Sequence, residues 1–98
     1  MYKKGHYLGK SETEIQNLVQ EEGFSPIKIS DSPGFVYPSH NHPETKLLAI
    51  LSGSMTAKVG EEEYFLNPGD QILIPGKLTH SAVVGRGGCT FFWSEKMI

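Results

Sequence analysis

The chain has 98 residues, a formal net charge of −2, 38% hydrophobic and 20% charged residues. That is the size and composition of one globular domain with a modest core. The charges are interspersed, with no basic stripe, so nucleic acid is not an expected partner. The longest apolar run, Leu47 to Leu51, is too short to span a membrane. The basic start Met1-Tyr2-Lys3-Lys4 leads into no apolar segment and does not resemble a signal peptide, which leaves the cytoplasm as the expected location.

Residues 1–10 are polar, contain glycine and are expected to stay mobile until packed. Ser11-Glu12-Thr13-Glu14 is a capping box, in which Ser11 accepts from the Glu14 backbone and Glu14 reaches back. Ile15, Leu18, Val19 and Glu22 recur on one helical face, and Gly23 suits a C-terminal stop. The pattern predicts a helix over about 12–22, packed on the edge or mouth of a sheet. The domain plan is therefore an N-terminal segment and helix, 1–24, followed by a β-barrel, 25–98.

From Phe24 onward short β-branched and apolar runs alternate with turn signals. The expected strands are 26–30, 34–37, 45–52, 54–59, 62–66, 71–75, 80–84 and 89–94. Ser52-Gly53-Ser54 and Val59-Gly60-Glu61 read as tight hairpins, Asn67-Pro68-Gly69-Asp70 as a turn, and Gly85-Arg86-Gly87-Gly88 as a flexible loop. The single cysteine, Cys89, excludes an internal disulfide and fits a small core residue in a buried strand. Many short, evenly spaced strands predict a sandwich or a jelly-roll barrel.

The chemistry lies in the histidines. His40 and His42 form a His-x-His pair, and alternate residues of a strand point to one face. Two imidazoles on one strand and a third, His80, on a neighbour can hold one ion, and imidazole suits zinc, copper, iron and nickel. Lys46 has the same strand parity, so it is expected to face the same interior, while Leu47, Ala49 and Leu51 face away. Tyr37, Leu48, Ile50, Gln71, Phe91 and Trp93 are further candidates for the interior, with Gln71 facing either solvent or the pocket. His6 lies outside this pattern and is expected at the surface.

Two stretches, taken with their spacing, resemble the cupin family. Gly34, His40, His42 and Gly53 fall in register with the first cupin motif, and Gly69, Pro75 and His80 with the second. The resemblance spans roughly residues 25–94. It implies an all-β fold, a cupin-type double-stranded β-helix (jelly-roll barrel) with one short N-terminal α-helix. It also implies a pocket in the barrel mouth lined by motif residues. Three positions depart from the pattern. Lys46 stands where the family has its metal-binding Glu, Lys77 where the second motif has a Gly, and Val84 where that motif ends in Asn. The missing carboxylate is offered nearby only by Glu44, from the turn.

The expected metal ligands are therefore His40, His42 and His80, the ion being divalent iron, manganese, nickel, copper or zinc. Lys46 is the candidate catalytic residue. An ammonium beside a divalent ion is repelled by it unless it loses its proton, swings out to pair with Glu44, or shares an anion with the ion. The last case predicts a small anionic molecule as partner and dioxygenase, isomerase or lyase chemistry. The alternative is a metal-free, non-catalytic binding module for a small molecule. Exposed strand edges also predict a homodimer.

Overall fold

The computed structural model describes residues 1–97; Ile98, the last residue of the expected barrel, lies outside the described residues. Its elements in chain order are β1 (Tyr2–Lys3), α1 (Glu12–Glu21), β2 (Ile27–Asp31), β3 (Val36–His40), β4 (Thr45–Val59), β5 (Glu62–Leu66), β6 (Gln71–Ile74) and β7 (His80–Lys96). The order β1-β6-β4-β7-β2 forms one sheet, to which β3 adds through β7 and β5 through β4. Every pairing is antiparallel. The architecture is the expected jelly-roll barrel with one short helix.

The two long strands carry the fold. β4 pairs with β7 from Thr45↔Lys96 to Val59↔His80, bending as it goes. Alternation on β4 sends Leu48 and Ile50 into the barrel interior with Phe91, Ile72 and Ile74. It sends Leu47 and Ala49 to the outer face, where they pack with Phe92, Ile15 and Val19. Phe91 and Phe92, adjacent in sequence, thus serve two separate cores. Helix α1 covers the outer face of the sheet, not the expected edge or mouth. The reason is that Leu47, Ala49 and Phe92 make that face apolar and require a cover.

The helix ends are as the sequence predicts. Ser11 N–H donates to Glu14 Oε1 at 2.8 Å and Glu14 N–H to Ser11 Oγ at 3.1 Å. At the other end Gly23 has φ +93°, Gly23 N–H donates to Gln20 O and Phe24 N–H to Val19 O. This is a Schellman stop, which requires the left-handed conformation at Gly23.

Three expectations are corrected. Ser52-Gly53-Ser54 is no hairpin, and Gly85–Gly88 is no loop: both lie inside continuous strands. Register shifts flank Gly53, and a Cβ there would meet Gly88 O at 2.1 Å. The two glycine stretches face each other and let β4 and β7 approach and bend together. Second, the N-terminal segment is tied down. Tyr2 and Lys3 pair with Ile72 and Gln71, and Tyr7 is 1% exposed. Buried Asp70 gathers the segment, accepting from Tyr2 Oη at 3.0 Å and Gly5 N–H at 2.8 Å, and from Asn67 N–H at 2.9 Å. Third, Gln71 faces neither solvent nor the pocket. Its amide donates to Tyr7 Oη at 2.6 Å and to Glu22 Oε2 at 3.0 Å beneath the helix. Burial pushes the Tyr7 phenol up to about 12.

Val59-Gly60-Glu61 does make a hairpin, with Val59 paired to Glu62 and a positive φ at Gly60. Cys89 is buried, and burial pushes its thiol up to about 11, in keeping with an inert core residue.

Lys77, where the second motif has its Gly, has φ +71°, the one positive φ at a non-glycine among the described residues. The backbone keeps the shape of the glycine turn although the side chain has changed. The left-handed conformation costs an L-residue about 1–2 kcal/mol, against about 0.5–1 kcal/mol for the extra freedom glycine has when unfolded. Lys77→Gly is therefore expected to stabilise the fold by about 0.5–1 kcal/mol in urea unfolding, whereas Lys77→Ala leaves it unchanged.

Candidate metal site at the barrel mouth

β3 is an edge strand paired only to β7, and it tolerates Pro38 at an irregularity between the pairs Tyr37↔Ala82 and His40↔His80. His80 opens β7, flanked by His40 on one side and Val59 on the other. His40 closes β3. His42 lies beyond the strand, in the 41–44 connection, so the expectation that both imidazoles rise from one strand is corrected. Pro43 ends the extended run, and the loop instead is held from outside. Lys77 N–H donates to His42 O at 2.7 Å, and Gly76 N–H to Thr45 Oγ1 at 3.2 Å.

The three rings nonetheless converge. Their centroids are 4.4 Å apart for His40 and His80, 5.0 Å for His42 and His80, and 5.5 Å for His40 and His42. One ring nitrogen from each lies within 4.8 Å of the others. His40 Nδ1 is 2.6 Å from Pro38 O and His80 Nδ1 is 3.0 Å from Leu78 O, in each case the carbonyl two residues back. A ring that donates from Nδ1 presents an unprotonated Nε2. His80 Nε2 is buried without a partner, as are both nitrogens of His42. Buried polar groups are normally satisfied, so these orphaned nitrogens ask for a partner, and an ion would supply one to the unprotonated ones.

The fit to a metal is good. Metal–imidazole bonds of about 2.0–2.1 Å place tetrahedral donors about 3.4 Å apart, so nitrogens within 4.8 Å of one another would close onto a bound ion. Burial pulls the His80 imidazole below its ordinary value, and the charge on Lys46 pulls it down further. Both effects disfavour the charged form of His80, and a ligand must be neutral.

Beside the histidines a cavity opens into the barrel. Its wall includes His40, His80, Lys46, Tyr37, Leu48 and Trp93. Lys46, Tyr37, Leu48, Phe91 and Trp93 therefore stand in the interior as expected; Ile50 is buried deeper in the same core, and Leu51 packs outside. The Tyr37 hydroxyl donates to Asp31, and burial with that carboxylate raises its pKa. The Lys46 ammonium is 5.6 Å from the centre of the Trp93 ring, within cation–π range. Burial lowers its pKa, while Glu95 and then Glu44 oppose the shift.

The carboxylates lie apart from the three-imidazole group, and with His42 they make a second set close enough to share one ion. Glu44 turns to His42, with Oε2 3.6 Å from Nδ1, and groups with His42 and Glu95 rather than with His40 and His80. Glu95 carries no sequence signal for this site. It faces this cluster because it pairs directly with Lys46 across β4 and β7, a register no local pattern reveals. His6 is at the surface, 3.6 Å from Glu22. Among the described residues no helix is long and apolar enough to cross a membrane.

Solved structures share this architecture. The chain superposes on KdgF from a Halomonas species with TM-score 0.66 at 20% identity, covering 74% of this chain and 69% of that one. An RmlC-like cupin from Shewanella frigidimarina gives 0.67 at 21%, covering 74% and 64%. The DMSP lyase DddQ from Ruegeria pomeroyi gives 0.67 at 22%, covering 74% and 38%. This chain thus spans between about two fifths and about two thirds of those chains' lengths. No curated protein matches it. The sequence profile of the cupin domain matches residues 29–94, which include all three histidines, the glycine bulge and the mouth cavity. The chain belongs to the cupin domain family.

Proposed function

We propose that this protein binds one divalent transition metal through His40, His42 and His80 and takes a small anionic molecule in the adjoining cavity. The observation that carries the reading is the set of unpartnered, buried imidazole nitrogens converging beside a cavity whose one cationic wall residue is Lys46. Three protein ligands leave coordination positions open, as reaction sites require, and a bound ion supplies Lewis-acid or oxygen chemistry there. Lys46 then has a use. Half-buried between the imidazoles and Trp93, it orients a carboxylate or similar group toward the open positions and can pass it a proton. The apolar walls, Leu48, Ile74 and Phe91, exclude water from the rest of the ligand. Dioxygenation, isomerisation and lyase chemistry all suit such a site, and the fold does not choose among them. The exposed Val36 and Val83, partners across β3 and β7, support a homodimer.

The test is elemental analysis of untagged protein prepared without chelator, beside His80→Ala. Near-stoichiometric metal in the parent that disappears in the variant is the expected result. No metal in the parent, even after reconstitution, would leave Lys46 as the dominant charge of the cavity. The protein would then be a metal-free anion-binding module.

A further inference from the structure

Two of the three imidazoles are oriented by backbone, and the third is not. His40 and His80 each place Nδ1 on the carbonyl two residues before them. His42 has no hydrogen-bond partner on either nitrogen, and both are buried. A ligand with an unfixed tautomer holds a metal poorly, because the ring presents the wrong nitrogen for part of the time. The acceptor closest to supplying the missing bond is Glu44, whose Oε2 is 3.6 Å from His42 Nδ1. It sits two residues after His42, next to Nδ1, and does not join the three-imidazole group. The loop is braced at both sides of it, by Lys77 N–H on His42 O and by Gly76 N–H on Thr45 Oγ1. Glu44 therefore needs only a side-chain movement of well under 1 Å to reach hydrogen-bond distance.

We propose that Glu44 is the positioning residue of the metal site. Its carboxylate accepts the Nδ1 proton of His42 and so turns Nε2 toward His40 and His80. This deepens the metal-site reading above and rests on it. Glu44 does not stand in for the family's carboxylate ligand at position 46; it acts one bond further out, through the imidazole. Glu95, the other carboxylate near His42, makes no hydrogen bond to the ring and is the natural control.

The experiment measures zinc affinity by competition with a chromophoric chelator in the parent, Glu44→Ala, Glu44→Gln and Glu95→Gln. Nitrogen-15 and cadmium-113 NMR of the cadmium-loaded proteins then identifies the His42 nitrogen that couples to the metal. The expected parent binds one ion, with coupling through Nε2. Glu44→Ala weakens zinc by about 10–100-fold and scatters the His42 coupling between its two nitrogens. Glu44→Gln recovers part of the affinity, since its amide oxygen still accepts, and Glu95→Gln, which removes a charge but no hydrogen bond to the ring, leaves the His42 coupling on Nε2. Equal affinity in the parent and Glu44→Ala would overturn the assignment, as would coupling through Nδ1 in the parent. Two ions in the parent falling to one in Glu44→Ala would also overturn it, by making Glu44 a ligand. A parent that binds no ion at all defeats the metal-site reading itself, and this proposal with it.

Discussion

Gly76→Ala is expected to unseat the metal-binding loop. A Cβ at Gly76 would lie 2.1 Å from Pro43 O, and 3.3 Å from the Glu44 carbonyl carbon. Both are backbone atoms, so no side chain can turn aside to make room. Gly76 has no positive φ, and the cost is therefore steric alone. The 43–44 backbone must move away from the 75–79 turn, and with it go the Gly76–Thr45 and Lys77–His42 hydrogen bonds that brace the loop. The expected loss is about 3 kcal/mol of stability, the range of overpacking combined with broken hydrogen bonds. Zinc affinity falls by at least about tenfold, because a ligand displaced by even about 1 Å no longer meets the other two. Gly87→Ala is the matched control, since nothing lies within 4 Å of a Cβ there. Urea unfolding and chelator competition read the two effects separately. A Gly76→Ala protein with parental affinity would show that His42 is held by something other than this contact.

Lys46→Glu is expected to raise metal affinity by about tenfold or more. The Lys46 charge is felt at the histidines, where it contributes to holding His80 below its ordinary value. A charge that disfavours an imidazolium disfavours a metal cation at the same place. At an effective dielectric of about 20, unit charges about 4 Å apart interact by about 4 kcal/mol. A tenfold change needs only about 1.4 kcal/mol, so even a distant and screened ammonium suffices. Lys46→Met separates two causes. If Met and Glu raise the affinity equally, the effect is the removal of a positive field; if Glu exceeds Met, the new negative charge itself attracts the ion. Parental affinity in Lys46→Glu would place residue 46 outside the ion's reach. The sign with pH follows. Burial lowers the pKa of both Lys46 and His80. On acidification metal affinity should fall as protons compete with the ion for the imidazoles, with burial making His80 harder to protonate than a free imidazole. On the alkaline side it should rise as Lys46 sheds its proton, earlier than an exposed lysine would. The anion-binding function should change the opposite way, weakening as Lys46 is neutralised.

The helix boundaries, the Gly60 hairpin, the alternation of β4 and the three-histidine cluster are all set by contacts between near neighbours in sequence, or by two motifs whose spacing is itself diagnostic. Ser11 and Glu14 satisfy each other's backbone within one turn, and a period of two separates Leu48 from Leu47 in any strand. Those features were determined by the sequence alone. Glycine was ambiguous: Gly60 reverses the chain, while Gly53 and Gly88 let two strands touch, and only the partner strand distinguishes them. Gln71 was ambiguous for the same reason, its partners Tyr7 and Glu22 lying 64 and 49 residues away. The setting of the metal site was likewise a tertiary decision. His42 left the strand because Pro43 interrupts it and the 75–79 turn captures its carbonyl, and Glu95 arrived beside Lys46 through the register of two long strands. Local rules act over one turn or one pleat; these contacts bring together residues whose separation in the chain carries no periodic signal.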